Sequence, residues 1–342
     1  MYRLFEAMEK TESGAENLLL TSLEEETLGQ KALLSDGSLV WESVSGGVFS
    51  DIEKELEGTC ESGIQTLGGQ RVFCDTLGQE KQIVVCGGGH VSMPVIQIGL
   101  MLGCQVTVLE DRPKFADNAR KAGATKVICA PFEEGLDRIE GNGDTYFVIV
   151  TRGHRYDQVC LEKIAAKEHA YIGMIGSRRR VALVKKQLAE GGVDQRVLDQ
   201  VYTPIGLDIG AETPAEIGVA IMAEIIEVKN KRKRTWGYSR EIRQAVCDRQ
   251  GHPGPKVMAT IISRKGSAPQ GIGVKMLVSA DGTCVGTIGG GCMESSVMQK
   301  ALLMARTAEP AARICRVDLT GDDAEDEGMV CGGVVEVLLE LV

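Results

Sequence analysis

At 342 residues the chain can form two or three domains, each burying its own core. With 43% hydrophobic and 25% charged residues it has the balance of a soluble globular protein, and no apolar run reaches the roughly 18 residues of a membrane span. The net charge of -10 resides in residues 1–70, where 14 acidic residues face 4 basic ones, a segment that repels phosphates and argues against nucleic acid as a partner.

The opening stretch, MYRLFEAMEKTESG, lacks the basic-then-apolar layout of a secretory signal, so the expected compartment is the cytoplasm. The acidity of residues 1–70 suits a solvated face or a docking surface for a basic partner. Further on, Lys31-Ala32-Leu33-Leu34-Ser35-Asp36-Gly37 aligns with Lys275-Met276-Leu277-Val278-Ser279-Ala280-Asp281-Gly282 after one insertion. A short apolar stretch and glycines follow each: Gly46-Gly47 in the first copy, Gly289-Gly290-Gly291-Cys292 in the second. The outer segments therefore read as a degenerate internal repeat. A polar stretch near Thr76 to Glu80 and the basic run from Lys229 to Arg234 divide the chain into residues 1–78, 79–230 and 236–342.

The middle segment reads as repeated βα units. Ile83 to Cys86 is a short buried strand, Gly87-Gly88-Gly89 a tight turn, His90 to Met101 a helix, and Gln105 to Leu109 a second strand. Glycine at 87 and 89 lets the backbone approach a pyrophosphate, which would sit on the helix N-terminus. Ser92 is small enough for close helix–strand packing. Glu110 and Asp111 end the second strand, where an acidic side chain can bind ribose hydroxyls. His90 either touches a phosphate or caps the helix, and Arg112 flanks the same mouth. Strands at 126–129, 146–150 and 171–175 follow, with loops carrying Thr151-Arg152-Gly153-His154 and Gly176-Ser177-Arg178-Arg179-Arg180. Those loops fall at the carboxyl edge of a doubly wound sheet, where ligands bind. Ser177 is placed as a helix N-cap, and Thr213 and Pro214 begin the domain's last helix.

Several segments together are more specific than the glycine turn. G-G-G-H-V-S, E-D-R-P, R-G-H-x-x-D, Y-I-G-M-I-G-S-R-R-R and P-I-G-L-D-I-G-A-E-T-P-A-E-I resemble the Rossmann domain of the XdhC/CoxI family. G-S-A-P-Q-G-I-G-V-K-M-L-V, D-G-T-C-V-G-T-I-G-G-G-C-M-E and G-M-V-C-G-G resemble that family's other domain. The resemblance implies an α/β fold: a Rossmann-like parallel-sheet domain plus a mixed α/β XdhC/CoxI-type domain, the latter preceded by its degenerate copy. Two features depart from the family pattern: the intact G-G-G-C domain follows the Rossmann domain here, and Gln270 stands where arginine is common.

Members of the family are accessory factors of xanthine dehydrogenase and related molybdenum hydroxylases. The resemblance thus implies a maturation chaperone that binds molybdenum cofactor. Its implied partners are an apo molybdenum hydroxylase and a cysteine desulfurase that sulfurates the cofactor; a homodimer is also open. The hydroxylase itself is a poor reading, since iron–sulfur cysteine runs are missing. An NAD(P)-dependent oxidoreductase using the same turn, or a ligand-sensing module without turnover, remains the alternative.

The eleven cysteines include no C-x-x-C pair and so read mostly as reduced, buried thiols. Cys292 differs. It follows Gly289-Gly290-Gly291 at the expected start of a helix from Met293 to Met304, where the dipole lowers a thiol's pKa. A thiolate there would contact molybdenum or its sulfur ligand, or carry a persulfide. Cys331 lies in a second glycine loop before a closing strand at 334–341, and Glu294 is either a proton carrier or a first-turn partner of the helix dipole.

Overall fold

The structure is a computed structural model; it describes residues 1–11, 15–50, 62–78, 81–231, 237–248, 254–266, 270–318 and 333–342, with the Cys292 side chain excepted. The chain forms two compact units, one from residues 1–79 and 233–342, the other from residues 80–232.

In the first unit, helix α1 (Tyr2–Glu9) precedes strands β1 (Asn17–Ser22), β2 (Lys31–Ser35), β3 (Ser38–Glu42), β4 (Gly63–Leu67) and β5 (Gln70–Leu77). They form an antiparallel sheet in the order β3-β2-β1-β5-β4. The later segment of this unit repeats the plan: helix α9 (Arg240–Cys247), then β11 (Lys256–Gly266), β12 (Lys275–Ser279), β13 (Cys284–Gly286), β14 (Ala312–Asp318) and β15 (Gly333–Leu341). Its sheet order, β13-β12-β11-β15-β14, is the same one. The degenerate repeat is therefore a structural repeat. Helix α10 (Gly291–Thr307) sets Met293, Val297, Ala301 and Met304, spaced along one helical face, against Val257, Ala259, Met276 and Val337 of the second sheet.

The middle unit holds β6 (Gln82–Cys86), α2 (Ser92–Met101), β7 (Gln105–Glu110), α3 (Pro113–Lys121), β8 (Lys126–Cys129), α4 (Phe132–Asp137), β9 (Thr145–Ile149), α5 (His154–Ala165), β10 (Tyr171–Met174), α6 (Arg178–Glu190), α7 (Gln195–Gln200) and α8 (Pro214–Lys231). Its sheet is wholly parallel, in the order β10-β9-β6-β7-β8. Alternate residues of each strand feed opposite cores, as a sheet covered on both faces requires. Val84, Cys86, Phe147 and Ile149 meet α5 and α6, whereas Ile83, Val85, Tyr146 and Val148 meet α2 and α8. This is the Rossmann order, with its switch point between β6 and β9.

Helix α2 begins at Ser92, so His90 and Val91 belong to the turn. Helix α8 continues to Lys231, so the start of the basic run closes a helix. Thr213 and Glu216 make a reciprocal cap there: the Glu216 N–H donates to Thr213 Oγ1 at 3.3 Å, and the Thr213 N–H to Glu216 Oε2 at 2.9 Å.

Candidate functional site

The glycine turn lies at the switch point, and its three glycines differ. Gly87 has φ +119, and a Cβ there would lie 2.5 Å from the carbonyl oxygen of Val150, the residue that follows β9. A Cβ on Gly88 would lie 2.8 Å from the Phe115 carbonyl oxygen. Both glycines let backbone meet backbone. Gly89 has nothing within 4 Å of its Cβ position and lies outside the left-handed region. The missing side chain at 89 thus opens space beside the α2 N-terminus. Ser92, fully buried, donates its hydroxyl to the Gly87 carbonyl at 2.7 Å and ties the turn to the helix.

The acidic end of β7 is already engaged. Glu110 is completely buried; its Oε2 accepts the Gly88 N–H at 2.7 Å, and its two oxygens take the Arg112 guanidinium at 2.8 and 3.1 Å. It anchors the glycine turn from beneath, which leaves Asp111 as the more accessible acid. Asp111 is clamped by both terminal nitrogens of Arg152, at 2.5 and 2.9 Å, and that hydrogen bonding holds its carboxyl below the usual range. Arg112 stacks on Phe115 with its guanidinium carbon 3.6 Å from the ring centre, and Arg152 lies 4.2 Å over Tyr156.

Beside this mouth, buried Asp157 accepts from Thr151 at 2.5 Å and pairs with Arg180 at 2.8 Å, although burial still pushes its pKa up. It pins the loop after β9 to the first turn of α6. His154 is the first residue of α5, and Ser177 and Arg178 stand at the start of α6; all three are exposed. Ser177 occupies the N-cap position without a side-chain capping bond. The parallel sheet therefore brings Gly89, His90, Asp111, Arg112, His154, Ser177 and Arg178 to its carboxyl edge. Arg152, Asp157 and Arg180, carried by the loops that the sequence places at the ligand-binding edge, hold that edge together through these contacts. The R-G-H-x-x-D spacing, which carries Arg152 and Asp157, puts an acid on the inner face of α5's first turn.

In the other unit, Gly289, Gly290 and Gly291 all have positive φ, at 134°, 71° and 64°. Glu294 organises this loop: its Oε2 accepts the Thr287 hydroxyl at 2.5 Å, the Gly290 N–H at 3.0 Å and the Ile288 N–H at 3.2 Å. The Thr287 hydrogen bond leads the causes that lower its pKa, which suits a carboxylate engaged in holding the loop. Cys292 is the second residue of α10, consistent with a helix N-terminus; its side chain and all of Cys331 lie outside the described residues. Among the described residues, no group of three or more His, Cys, Asp or Glu could hold a metal ion, and no helix is long and apolar enough to cross a membrane.

Removing the Glu294 carboxylate frees three donors at the loop. In Glu294→Ala, amide exchange at Ile288 and Gly290 is expected to accelerate about 10-fold, the equivalent of about 1.4 kcal/mol of lost protection. The sign with pH follows from the lowered pKa: the protection is present above the ordinary carboxylate range and is lost as pH falls through the lowered value. Exchange rates unchanged by the substitution would remove Glu294 from this role.

Residues 83–225 match the family model described as the XdhC Rossmann domain, and residues 249–318 match that of the XdhC and CoxI family. Two curated relatives align with about half of the chain. The uncharacterized protein YqeB of Escherichia coli (strain K12) is 30% identical over 48% of this chain and 30% of its own length. A protein of Bacillus subtilis (strain 168) named as a probable xanthine dehydrogenase subunit is 27% identical over 47% of this chain and 46% of its own length. The aligned part thus spans less than half of either relative. A crystal structure described as that of a xanthine dehydrogenase from Bacillus halodurans matches the fold at TM-score 0.54, with 20% identity over 68% of each chain. With both domain types matched, and on separate stretches of sequence, the chain belongs to the XdhC and CoxI family.

Proposed function

We propose that this chain is an accessory factor for a molybdenum hydroxylase of the xanthine dehydrogenase type, holding molybdenum cofactor for sulfuration and insertion. The observation that carries the reading is the pairing of a Rossmann turn with a G-G-G-C loop in one chain of this family. The relative named for xanthine dehydrogenase supports the choice of client.

The residues fit the group. Space over Gly89, at the positive end of α2, suits the phosphate of a pterin cofactor or the pyrophosphate of its dinucleotide form. His90, His154, Ser177 and Arg178 would line the anionic portion, and Asp111 would take a ribose hydroxyl. In the other unit, taken by itself, Gly289, Gly290 and Gly291 would let a ligand approach the backbone, and Cys292 would be the thiol that reacts with the cofactor's metal or its sulfur. Bound cofactor would supply the metal centre that accepts the sulfur; the chain would supply orientation and shelter. A cysteine desulfurase would be the sulfur source, with Cys331 a second thiol for that step.

The Rossmann strand order also suits a nicotinamide dinucleotide, which keeps an oxidoreductase as the second reading. Purifying the chain from a molybdenum-replete host, then identifying bound small molecules by mass and metal content, separates the two. Pterin with molybdenum is the expected result. Bound NAD(P) with substrate-dependent turnover would replace this reading by the oxidoreductase.

A further inference from the structure

The two copies in the outer unit are joined by a pattern that occurs twice. Lys31 and Lys275 open the equivalent strands β2 and β12, opposite Thr21 of β1 and Thr260 of β11. Asp75 of β5 lies opposite Leu19, and Glu340 of β15 opposite Met258, each two residues before that threonine. Asp75 and Glu340 are therefore equivalent positions. Each lysine reaches the acid of the other copy: Lys31 Nζ to Glu340 Oε1 at 2.8 Å, and Lys275 Nζ to Asp75 Oδ2 at 2.5 Å. The crossed exchange is the signature of an isologous, two-fold contact, here between two halves of one chain.

The rest of the contact obeys the same relation. Leu19, Leu33 and Leu77 from one copy pack with Met258, Leu277 and Ile242 from the other. Phe5 of the first copy meets Tyr238, just ahead of α9, with ring centres 5.0 Å apart. The side chains of Lys275 and Asp75 are only 2% and 1% exposed. Opening this face would leave buried charges unpaired and the apolar sides of two sheets wet, so neither copy is complete alone.

We infer that the N-terminal copy is the built-in partner of the G-G-G-C copy: the face through which a single copy would recruit a second chain is closed in cis. The N-terminal copy has Ser43-Val44-Ser45-Gly46-Gly47 after its third strand and no thiol in that stretch. Its role is that of a structural partner, and the pair of copies carries one G-G-G-C loop. The alternative occupant of the same face is the corresponding segment of another chain, exchanged in a swapped dimer.

Complementation of charge reversals distinguishes cis from trans and requires no cofactor. Asp75→Lys and Lys275→Asp are made singly and together in the full chain, and thermal midpoints are read for each and for an equal mixture of the two single variants refolded together. The expected result is that both single variants fall well below the parent, the double variant recovers most of the loss, and the mixture stays with the single variants. Recovery in the mixture equal to that of the double variant would overturn closure in cis. No recovery in the double variant would overturn the pairing itself. Where the reversals do not fold, Asp75→Asn and Lys275→Met are read in the same way.

Discussion

Gly87→Ala should destabilise the middle unit by about 3 kcal/mol or more, because the substitution combines a left-handed backbone with a backbone clash. The new Cβ would lie 2.5 Å from the Val150 carbonyl oxygen, at φ +119, and neither strand can retreat without breaking the β6–β9 ladder. That loss corresponds to a melting point lower by about 6–12 °C in a unit of this size. The neighbouring Gly89→Val should behave differently. Its side chain enters open space, so stability should change by about 0.5 kcal/mol or less, while affinity for a phosphate-bearing ligand falls about 10-fold or more. Thermal melts of both variants, with ligand titrations of the second, check the contrast. Equal destabilisation by the two would mean that Gly89 is a packing residue like its neighbours.

Cys292→Ala should retain the fold yet abolish delivery of cofactor to a client hydroxylase. At the second position of α10 a side chain of either kind satisfies the helix, so the loss should be chemical. The substitution removes a thiol at a helix N-terminus, where a thiolate is favoured by the free N–H groups and the dipole. Client activity after incubation with cofactor and variant is expected to equal that with cofactor alone. Delivery at the parent's level would assign the role to another residue. Cys86 and Cys160 are poor replacements: both are fully buried, and burial leads the causes that push the Cys160 thiol well up.

Much of this architecture is legible in the sequence because it rests on local patterns. The β6–α2–β7 unit follows from an apolar run, glycines and helical periodicity, and the parallel sheet buries its strands on both sides as such runs require. The repeat is visible in K-x-L-x-S followed by a D-G turn, and the two sheets share one strand order. What the sequence hides depends on contacts distant along the chain. Glu110 reads as a ribose acid from its spacing alone, whereas its burial and its bond to the Gly88 N–H come from the way β7 sits under the turn. Lysines at 31 and 275 look like ordinary strand starts; only the pairing of the copies places each beside an acid of the other. Glu294, likewise, gives no sign in sequence that it spends its carboxylate on its own loop.

Transfer is the most direct test of the proposed role. The chain, loaded with molybdenum cofactor, is mixed with an apo hydroxylase and the two are separated again. Molybdenum is then counted in each, alongside hydroxylase activity. Metal is expected to leave this chain, appear in the hydroxylase and bring activity with it, with Gly89→Val and Cys292→Ala both deficient. Molybdenum that never binds the chain, or hydroxylase activated equally well without it, would contradict a delivery role.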